Sequence, residues 1–534
     1  MDRRVTQLPE TEDKRQQIVL VEEPFFFHHP KKRAFKIHRL KLVFHRACLR
    51  YYQDFLIQKG FQNVAYISYD DMLKAGDIVK ALKLKAAKTI PKNKSWELKF
   101  VDPHDTDVSD DYFRACDEEG IDCVILDDDI GFIMGRKDLD AFHDEHKGKK
   151  RIQHSSFFDK VKEKEGVLVD TASTDTKNRK SLPSGFREVF RASKMTKSNN
   201  EYLQEAINYI NQHDQFKTHY GSLDIVESNK SKDGSPSVVP QDNKNENDDS
   251  NGNEFVTIPV THEDAQRHLS QFIRTRFGNF GDYQDAVHSN YAVLYHSHCS
   301  FLLNAGLLTP REVMQKVLEK KGKIPMNALE GFLRQLLGWR EYMRYIYTYY
   351  EDELKKDNVF QLDRKIVTKK QWYEGTLGIF PIDNEIRKIN RLGHAHHIIR
   401  LMFLLNFMVL CNVRKEDVVQ WFMEMVALDA YPWVMWSNIG AMGFYSEKFM
   451  RKPYISTSNY ICKMSNYNDD GTNDGWTDIW DALFYHFISS KERLMKQHAS
   501  IYTRNLAHYN KKSPGEKKKL NEKAATFINA VSQA

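Results

Sequence analysis

The chain has 534 residues, enough for two domains with packed cores, and 12% of its residues are aromatic. Its 79 basic and 73 acidic residues give a net charge of +6, which permits nucleic-acid binding without requiring it. The charged N-terminus argues against a secretory signal, and no apolar run reaches the roughly 18 residues of a membrane span. We therefore expect a soluble intracellular protein of the cytoplasm and nucleoid or of the nucleus.

The first part of the chain alternates short apolar runs with an amphipathic helical pattern. Gln17–Glu22, Val64–Ile67 and Cys123–Leu126 are rich in β-branched and aliphatic residues, which favours buried strands. Apolar residues recur at helical spacing over Lys36–Lys59, and Gly60 follows where a helix C-cap is expected. This alternation predicts an α/β domain, a parallel sheet flanked by helices.

Changes in composition divide the rest of the chain. Residues 221–254 are largely Ser, Asn, Asp, Lys and Gly, which bury too little apolar surface to offset their ordering entropy, so we expect a disordered insertion there. We place the α/β domain at 1–145, an interdomain connection at 146–260, a helical domain at 261–510 and a C-terminal tail at 511–534.

Long amphipathic patterns make the C-terminal half mostly α-helical. Thr261 starts the first helix, with Asp264 at the third helical position as in a capping box. The longest apolar run, Ile398–Val413, is interrupted by Arg400 and Asn406, so we interpret it as a buried core helix. Seven of the eight tryptophans follow Gly331, which indicates an aromatic-rich helical core.

Several segments, in this order and spacing, resemble one known family. The C-terminal segments are FGDYQDAV (280–287), LYHSHCSFLLNAGLLTPREV (294–313), RQLLGWREYMR (334–344), HAHHIIRLMFLLNF (394–407), DAYPWVMWSNIGAM (429–442) and RKPYISTSNYICKMSNY (451–467). The N-terminal half adds VEEPFFFHHPKKRAFKIHRLKLVFHRACLRYY (21–52) and the weaker FFDKVKEKEGVLVD (157–170). Together they resemble the bacterial photolyase-related proteins of the photolyase/cryptochrome superfamily, which include prokaryotic (6-4) photolyases and related cryptochromes.

The resemblance implies a helical FAD-binding domain behind the α/β domain. It implies a DNA photolyase, a lyase in which FAD excited by blue light donates an electron to a pyrimidine lesion, most simply a (6-4) photoproduct. The expected partner is UV-damaged DNA, and we expect a monomer. Two alternatives stay open: a cryptochrome-type photoreceptor without repair activity, and a flavin-free DNA-binding relative.

Two features suit a flavin. His296, Ser297 and Ser300 precede a helical stretch, where hydroxyl and amide groups bind a diphosphate, although small residues at a helix start are common. Arg400 and Asp429 are charges in apolar surroundings and so are expected to pair, either at the flavin ring, as the resemblance implies, or as a structural salt bridge. The resemblance adds further cofactor positions: Tyr283, Gln335 and Asn438, with Met435 as an alternative facing flavin N5.

Two adjacent histidines are the catalytic candidates. His396 and His397 are expected on one helix, about 100° apart, with Arg400 one turn beyond His396. Histidine gives and takes protons near neutral pH, and the resemblance makes one of the pair the proton donor and acceptor for the lesion. The alternative is a histidine satisfied within the core.

The resemblance also assigns residues to DNA and to electron transfer. Trp339 and Arg340 match the rim of a lesion pocket, where a flipped base stacks on an aromatic wall and phosphates need cations. Near the end of the domain, basic residues alternate with aromatic ones: Arg451, Lys452, Tyr454 and Lys463. This alternation suits contacts with single-stranded DNA. A solvated helix face over a packed one is equally consistent with it. Tryptophans that serve either electron transfer or packing are Trp372, Trp421, Trp433 and Trp436.

The six cysteines depart from the family pattern. None forms a C-x-x-C pair, which suits buried thiols in a reducing compartment. The family's four cluster cysteines correspond to Phe380–Pro381, Asn468, Gly471 and the neighbourhood of Asp478, and Cys462 is off the ligand pattern. We therefore predict no iron–sulfur cluster and no metal. N-terminal departures leave the antenna chromophore undetermined.

Overall fold

The computed structural model describes most of the chain. The described residues are 17–85, 96–126, 130–169, 173–174, 180–187, 190, 193, 195–223, 258–468, 475–498 and 502–533.

Within those ranges, the β-structure consists of two parallel pairs. β1 (Gln17–Val21) pairs with β2 (Asn63–Ile67), and β3 (Glu97–Val101) pairs with β4 (Asp122–Leu126). Parallel strands need a crossover, and a helix supplies it in each pair. The α/β class of the N-terminal half is confirmed, but the described strands form two small sheets instead of one.

The crossover helix of the first pair shows how local sequence and packing combine. It spans Arg39–Gln58 and begins three residues later than the hydrophobic pattern predicted, because the His38 ring caps it by accepting from the Leu40 N–H. Gly60 follows with φ of 88°, which fits the predicted helix end. The other helices before residue 170 are Pro24–Phe27, Tyr69–Ala75, Ile78–Lys85, Thr106–Glu118, Arg136–His146 and His154–Glu165.

The interdomain connection is more ordered than its assigned role suggested. It holds Lys197–Gln212 and Asp214–Lys217, and the first of these packs against the crossover helix through an ion pair of 2.6 Å between Arg46 and Glu205. The start of the expected insertion is also packed. The Ser222 N–H donates to the Asn390 carbonyl at 3.0 Å, and Leu223 is 2% exposed, so the disorder prediction is wrong for residues 221–223. Residues 224–254 lie outside the described ranges.

The C-terminal half is helical, as predicted. Thr261 caps its first helix by accepting from the Asp264 N–H, and its hydroxyl donates back to the Asp264 carboxylate at 2.8 Å. The helices are His262–Thr275, Phe277–Tyr283, Ser300–Asn304, Pro310–Leu318, Met326–Leu333, Arg340–Lys356, Gln371–Glu374, Phe380–Leu392, Asn406–Leu410, Lys415–Met425, Pro432–Met442, Ser458–Met464, Trp476–Ser490, Glu492–His498, Thr503–Asn510 and Pro514–Val531.

The residues assigned to a C-terminal tail form part of this packed region. Helix Pro514–Val531 lies along Trp476–Ser490, and the Val531 carbonyl accepts from the Trp372 indole N–H at 2.8 Å. The run Ile398–Val413 is buried, as expected. Across the described ranges, no helix combines the length and the hydropathy that a bilayer crossing requires.

Candidate functional site

A salt bridge joins two chain segments at the centre of the helical half. Arg400 Nη2 lies 2.9 Å from Asp429 Oδ1, and its Nε donates to the Ala395 carbonyl at 2.6 Å. The Ser300 hydroxyl also bonds the Asp429 carboxylate. Burial opposes ionisation of Asp429, but the Arg400 guanidinium outweighs it, and the pKa of Asp429 is lowered. The structure thus brings together three of the residues predicted to hold a cofactor.

Five histidines surround this salt bridge and are called the histidine cluster here: His296, His298, His394, His396 and His397. The His296 and His396 rings stack at 4.3 Å, and the His298 and His394 rings meet edge to face at 4.3 Å. Burial lowers the pKa of His296 and of His394 to about 3. The buried rings of the cluster are therefore neutral at physiological pH.

The two catalytic candidates differ in their surroundings. The helix on which both were expected begins at His397, and His396 lies one residue before it, where its carbonyl accepts the first helical bond from the Arg400 N–H at 3.1 Å. The prediction that both histidines lie within one helix is therefore off by one residue. His396 is 4% exposed, and burial lowers its pKa well below the ordinary value. The His397 side chain is 41% exposed, and its Nε2 lies 3.3 Å from Asp285 Oδ1. Only His397 combines access to solvent with a carboxylate partner.

Several of the buried polar atoms that lack a hydrogen-bond partner lie in this cluster or beside it. Among the described residues, both ring nitrogens of His298, Nε2 of His394, Nδ1 of His396 and Oε1 of Gln284 are buried and make no hydrogen bond within the protein. Buried polar atoms are nearly always satisfied, since an unmet one costs about 1–3 kcal/mol. The donor set therefore fits a polar ligand bound against the cluster and the Arg400–Asp429 pair.

A metal ion fits the same residues less well. Ligand nitrogens of His296, His396 and His397 lie within 4.8 Å of one another. However, His296 Nδ1 already contacts the Val293 carbonyl at 3.0 Å, and its Nε2 contacts the Gln284 carbonyl at 2.9 Å. The His296 and His396 rings are also stacked nearly parallel, so the lone pairs of their nitrogens lie in nearly parallel planes and do not converge on one metal position.

Irregular backbone surrounds the site. Two π-helical segments, Arg334–Trp339 and Ile399–Leu405, carry Trp339 and Arg400. Leu294 and His298 have positive φ values of 50° and 55°, which non-glycine residues adopt only where their surroundings hold them. Both features are enriched at functional sites in proteins.

Comparison with known proteins shows what the chain is similar to. The family model of the deoxyribodipyrimidine photo-lyase-related proteins matches residues 1–227. A (6-4) photolyase of Agrobacterium fabrum (strain C58) is 36% identical over 281 residues, which make up 50% of this chain and 54% of that relative. The chain thus spans about half the length of this relative. The crystal structure of a class III photolyase from Agrobacterium tumefaciens matches with a TM-score of 0.51 at 14% identity, over 96% of this chain and 92% of that chain. The chain is thus similar to photolyase-related proteins and shares the fold of the class III photolyase.

A viral protein is also similar to this chain. An uncharacterized protein of Acanthamoeba polyphaga mimivirus is 42% identical over 103 residues, which cover 19% of this chain and 80% of the viral protein.

The remaining residues that were predicted to bind a cofactor have separate contacts. Tyr283 stacks on Tyr295 with ring centroids 5.1 Å apart, and the Ser297 carbonyl accepts from His268 Nε2 at 2.9 Å. Asn438 accepts from the Trp339 indole N–H at 2.8 Å. Met435 is buried and Gln335 is exposed. None of these contacts tests the cofactor roles, which stay predictions.

The predicted DNA contacts fall into two groups. The Arg340 side chain is 11% exposed, and it donates to the Gly131 carbonyl at 2.7 Å and lies over the Phe132 ring. It is thus held inside the protein and does not project to solvent. In contrast, the basic residues Arg451, Lys452 and Lys463 are exposed, and Tyr454 is partly exposed.

The predicted electron-transfer tryptophans do not form one group. Trp372 and Trp421 are fully buried together, and the Trp421 indole N–H donates to the Trp372 carbonyl at 2.8 Å. Trp433 lies in the other large core cluster, edge to face with Phe132 at 5.3 Å. Trp436 is partly buried.

The positions at which iron–sulfur ligands were looked for in the sequence have other roles in this chain. Phe380–Pro381 begin a helix, and the Asn468 carbonyl accepts from the Trp476 indole N–H at 3.2 Å. Asp478 lies in the first turn of its helix, and Gly471 lies outside the described residues.

Sequence reasoning missed several residues of the site. Asp285, the partner of His397, is 112 positions away in sequence. Asn304 joins Arg340 to the Asp429 carbonyl, donating to that carbonyl at 3.0 Å. Lys41 reaches in from the N-terminal half, donates to the Ala430 carbonyl and is buried beside Asp429. The only available signal was the charge of Lys41 and Asp285 within apolar patterns.

Proposed function

We propose that this protein is a flavoprotein of the photolyase/cryptochrome superfamily that uses blue light to repair UV-damaged DNA, with the (6-4) photoproduct as its lesion. One observation carries the proposal: His397, half-exposed and paired with the buried Asp285, adjoins a buried cluster in which several ring nitrogens lack partners within the described residues. A polar cofactor at the cluster and a substrate on the exposed side would meet at His397. The Agrobacterium relative named a (6-4) photolyase supports the choice of lesion.

The proposed cofactor is FAD, held by the chain's own buried polar groups. Arg400 and Asp429 are fixed by their mutual salt bridge and by Ser300, so they would present a preset charge pattern to the flavin. The neutral rings of His298 and His394 would supply hydrogen bonds that they do not make within the protein. When bound and excited in its reduced form, FAD supplies the electron for lesion splitting.

The proposed role of His397 is to move the proton. Reversal of a (6-4) photoproduct transfers a hydroxyl or amine between two bases, and a proton must accompany it. Asp285 would orient the His397 ring through Nε2, and the exposure of the ring would leave its other nitrogen, Nδ1, for a bound base. His396, which is buried and stacked on His296, would instead support the site.

The proposed partner is UV-damaged DNA. The protein would bind it as a monomer, in a compartment that contains DNA. Trp339 would provide the stacking wall for a flipped base. The exposed cations Arg451, Lys452 and Lys463 would contact phosphates.

The decisive experiment loads the purified protein with FAD, reduces it and illuminates it with blue light in the presence of oligonucleotides. One oligonucleotide carries a (6-4) photoproduct and the other a cyclobutane dimer, and dark samples serve as controls. We expect restoration of the (6-4) oligonucleotide only. Folded protein that takes up no FAD would contradict the proposal as a whole, and repair of the cyclobutane dimer alone would contradict the lesion.

A second function has one specific observation in its favour. The Arg340 guanidinium, expected at the rim of the lesion pocket, is engaged inside the protein by Gly131 and Asn304. A photoreceptor needs no phosphate contact at that place. Flavin binding with a light-dependent spectral change but no repair of either lesion would favour the cryptochrome-type function.

A further inference from the structure

Lys41 is a buried charge beside the candidate flavin site, and the proposed reaction gives it no role. It lies in the helix Arg39–Gln58 of the N-terminal half, and its side chain is fully buried. Its ammonium group donates to the Ala430 carbonyl and lies 4.5 Å from the centre of the Tyr431 ring. Both residues directly follow Asp429, so the N-terminal half reaches one side of the salt bridge at the site.

The start of this helix is anchored to the helical half of the chain. The His38 ring contacts the Ile389 and Asn390 carbonyls at 3.1 and 2.9 Å, close to where the chain enters the histidine cluster. The His38 backbone N–H donates to the Glu424 carbonyl at 2.8 Å. Because Lys41 lies one helical turn after His38, these contacts also fix the position from which its side chain extends.

The other charges near Lys41 cancel in pairs. Asp429 is paired with Arg400 at 2.9 Å, and Asp105 is paired with Arg33 at 2.6 Å. Desolvation lowers the pKa of the buried histidines of the cluster, so these rings add no charge near neutral pH. Lys41 therefore adds one positive charge to a buried region that is otherwise balanced.

A buried ammonium keeps its charge only with help from nearby anions. Burial lowers the pKa of Lys41 to about 7, and the Asp429 carboxylate opposes this by raising it. An anionic ligand bound against the salt bridge would act on Lys41 in the same direction as Asp429. The site would thus gain more from a negatively charged ligand than from a neutral one.

The flavin ring is such a ligand in only one of its redox forms. It is neutral when oxidised, and it takes up negative charge when it is reduced by two electrons near neutral pH. Charges that the protein places near the ring therefore shift the balance between the two forms. The reduced form is the one that the proposed repair reaction uses.

We propose that Lys41 is a specificity-determining residue that makes the site bind reduced FAD more tightly than oxidised FAD. The proposal rests on the proposed FAD function. Lys41 acts through its charge, and its bond to the Ala430 carbonyl keeps that charge in place. The N-terminal half holds none of the other residues assigned to the cofactor. Through Lys41 it would nevertheless set the redox form that the helical half prefers.

Two substitutions separate the charge of Lys41 from its hydrogen bond. Lys41→Gln removes the charge and keeps an N–H donor for the Ala430 carbonyl, whereas Lys41→Arg keeps the charge. Lys415→Gln is the matched control, because Lys415 is also buried, donates to the Asp357 carbonyl and has a pKa lowered by burial. If Lys41→Gln does not fold, Lys41→Met replaces it with the same expectation, since it keeps the packing of the side-chain stem.

The measurement is the midpoint potential of bound FAD, titrated in the dark with dithionite and dye mediators. This potential reports the ratio of the affinities for reduced and oxidised FAD, and neither light nor DNA is needed. Removing one buried charge changes the affinity for a charged ligand on the order of tenfold. We expect that fall in the ratio in Lys41→Gln, which lowers the potential by about 30 mV for a two-electron couple. Lys41→Arg and Lys415→Gln should keep the wild-type potential.

Three outcomes would overturn the role of Lys41. The first is an unchanged potential in Lys41→Gln that still binds FAD. The second is an equal loss of affinity for both redox forms, because Lys41 would then act on the diphosphate or only on the fold. The third is a similar fall in Lys415→Gln, which would make the loss of any buried lysine sufficient. Urea unfolding of the FAD-free variants shows whether each is folded.

The two proposals fail in different ways. Repair by dithionite-reduced wild type together with an unchanged potential in Lys41→Gln would refute the role of Lys41 and leave the repair function intact. A lowered potential in Lys41→Gln without repair of either lesion by the wild type would support the role of Lys41 and refute the repair function. Folded wild type that binds no FAD would refute both.

Discussion

Several buried charges of the N-terminal half are paired with one another, whereas several ring nitrogens of the histidine cluster make no hydrogen bond within the described residues. In the N-terminal half, Arg33 makes two parallel bonds to Asp105 at 2.6 and 2.9 Å. Glu23 is buried with a pKa raised to about 7 by desolvation, and it accepts from Tyr112 at 2.8 Å. In the cluster, by contrast, His298 makes no hydrogen bond from either ring nitrogen.

This difference in pairing distinguishes structural groups from ligand-binding groups by the free energy that each has without a ligand. A buried pair that satisfies itself is complete without any ligand, although replacing one partner is costly. A buried nitrogen without a partner costs free energy in the ligand-free protein and recovers it only when a ligand arrives. The two regions should therefore respond differently to mutation, to FAD and to pH.

His397→Ala should have the largest effect on activity. Loss of a proton-transferring group should lower (6-4) repair by about 100- to 10,000-fold while FAD remains bound. The matched control is His213→Ala, because His213 in the other region also pairs with a carboxylate, Asp70, at 2.9 Å. Repair yields per absorbed photon, measured for both variants, decide the matter. Wild-type repair by His397→Ala would show that the Asp285 pair is only structural.

A structural feature could be predicted from the sequence alone where its signal lies in neighbouring residues. The Thr261 cap and the strands β1, β2 and β4 follow from neighbouring residues and were predicted. β3 (Glu97–Val101, ELKFV) was missed because charges interrupt its apolar residues. Membership of the α/β and helical classes followed from such patterns.

The site was predicted less completely because it depends on distant residues. Arg400 and Asp429 were paired correctly because both charges lie in apolar surroundings. The His397–Asp285 pair and the π-helical backbone at Arg400 depend on tertiary packing, which no local pattern records. For the same reason the helix start between His396 and His397 was placed too early.

Breaking one salt bridge in each region should give similar losses of stability but different losses of binding. Asp105→Asn and Asp429→Asn each leave a buried guanidinium with a weakened partner, and each should lower the free energy of unfolding by about 3 kcal/mol. Only Asp429→Asn should also weaken FAD binding. Urea unfolding and flavin titration of both variants make the comparison. Equal FAD affinity in the two would place the flavin away from Asp429.

FAD should stabilise the wild type through the cluster. At a free concentration 100-fold above its dissociation constant, FAD should add about 2.7 kcal/mol to the free energy of unfolding. The measurement is unfolding with and without FAD, with riboflavin as the matched ligand that lacks the diphosphate. Asp105→Asn should keep the full increment, because its lost pair lies outside the site. An increment lost in Asp105→Asn and kept in Asp429→Asn would reverse the assignment of the two regions.

Acidification should change the contributions of the cluster histidines and of Glu23 to stability with opposite signs. The pKa of His296 and of His394 is lowered by burial to about 3, so between pH 6.5 and 3 the unfolded chain binds protons that the folded chain does not. Each histidine then removes about 1.4 kcal/mol of stability per pH unit below 6.5. Glu23 opposes this, because its raised pKa of about 7 makes the folded chain hold a proton that the unfolded chain releases above pH 4.5. Two histidines outweigh one carboxyl, so stability should fall from pH 6.5 to 5, and more steeply in Glu23→Gln, where the opposing contribution is gone. Urea unfolding over this range measures both slopes, and a wild-type stability that stays level or rises on acidification would show that the cluster histidines accept protons in the folded state.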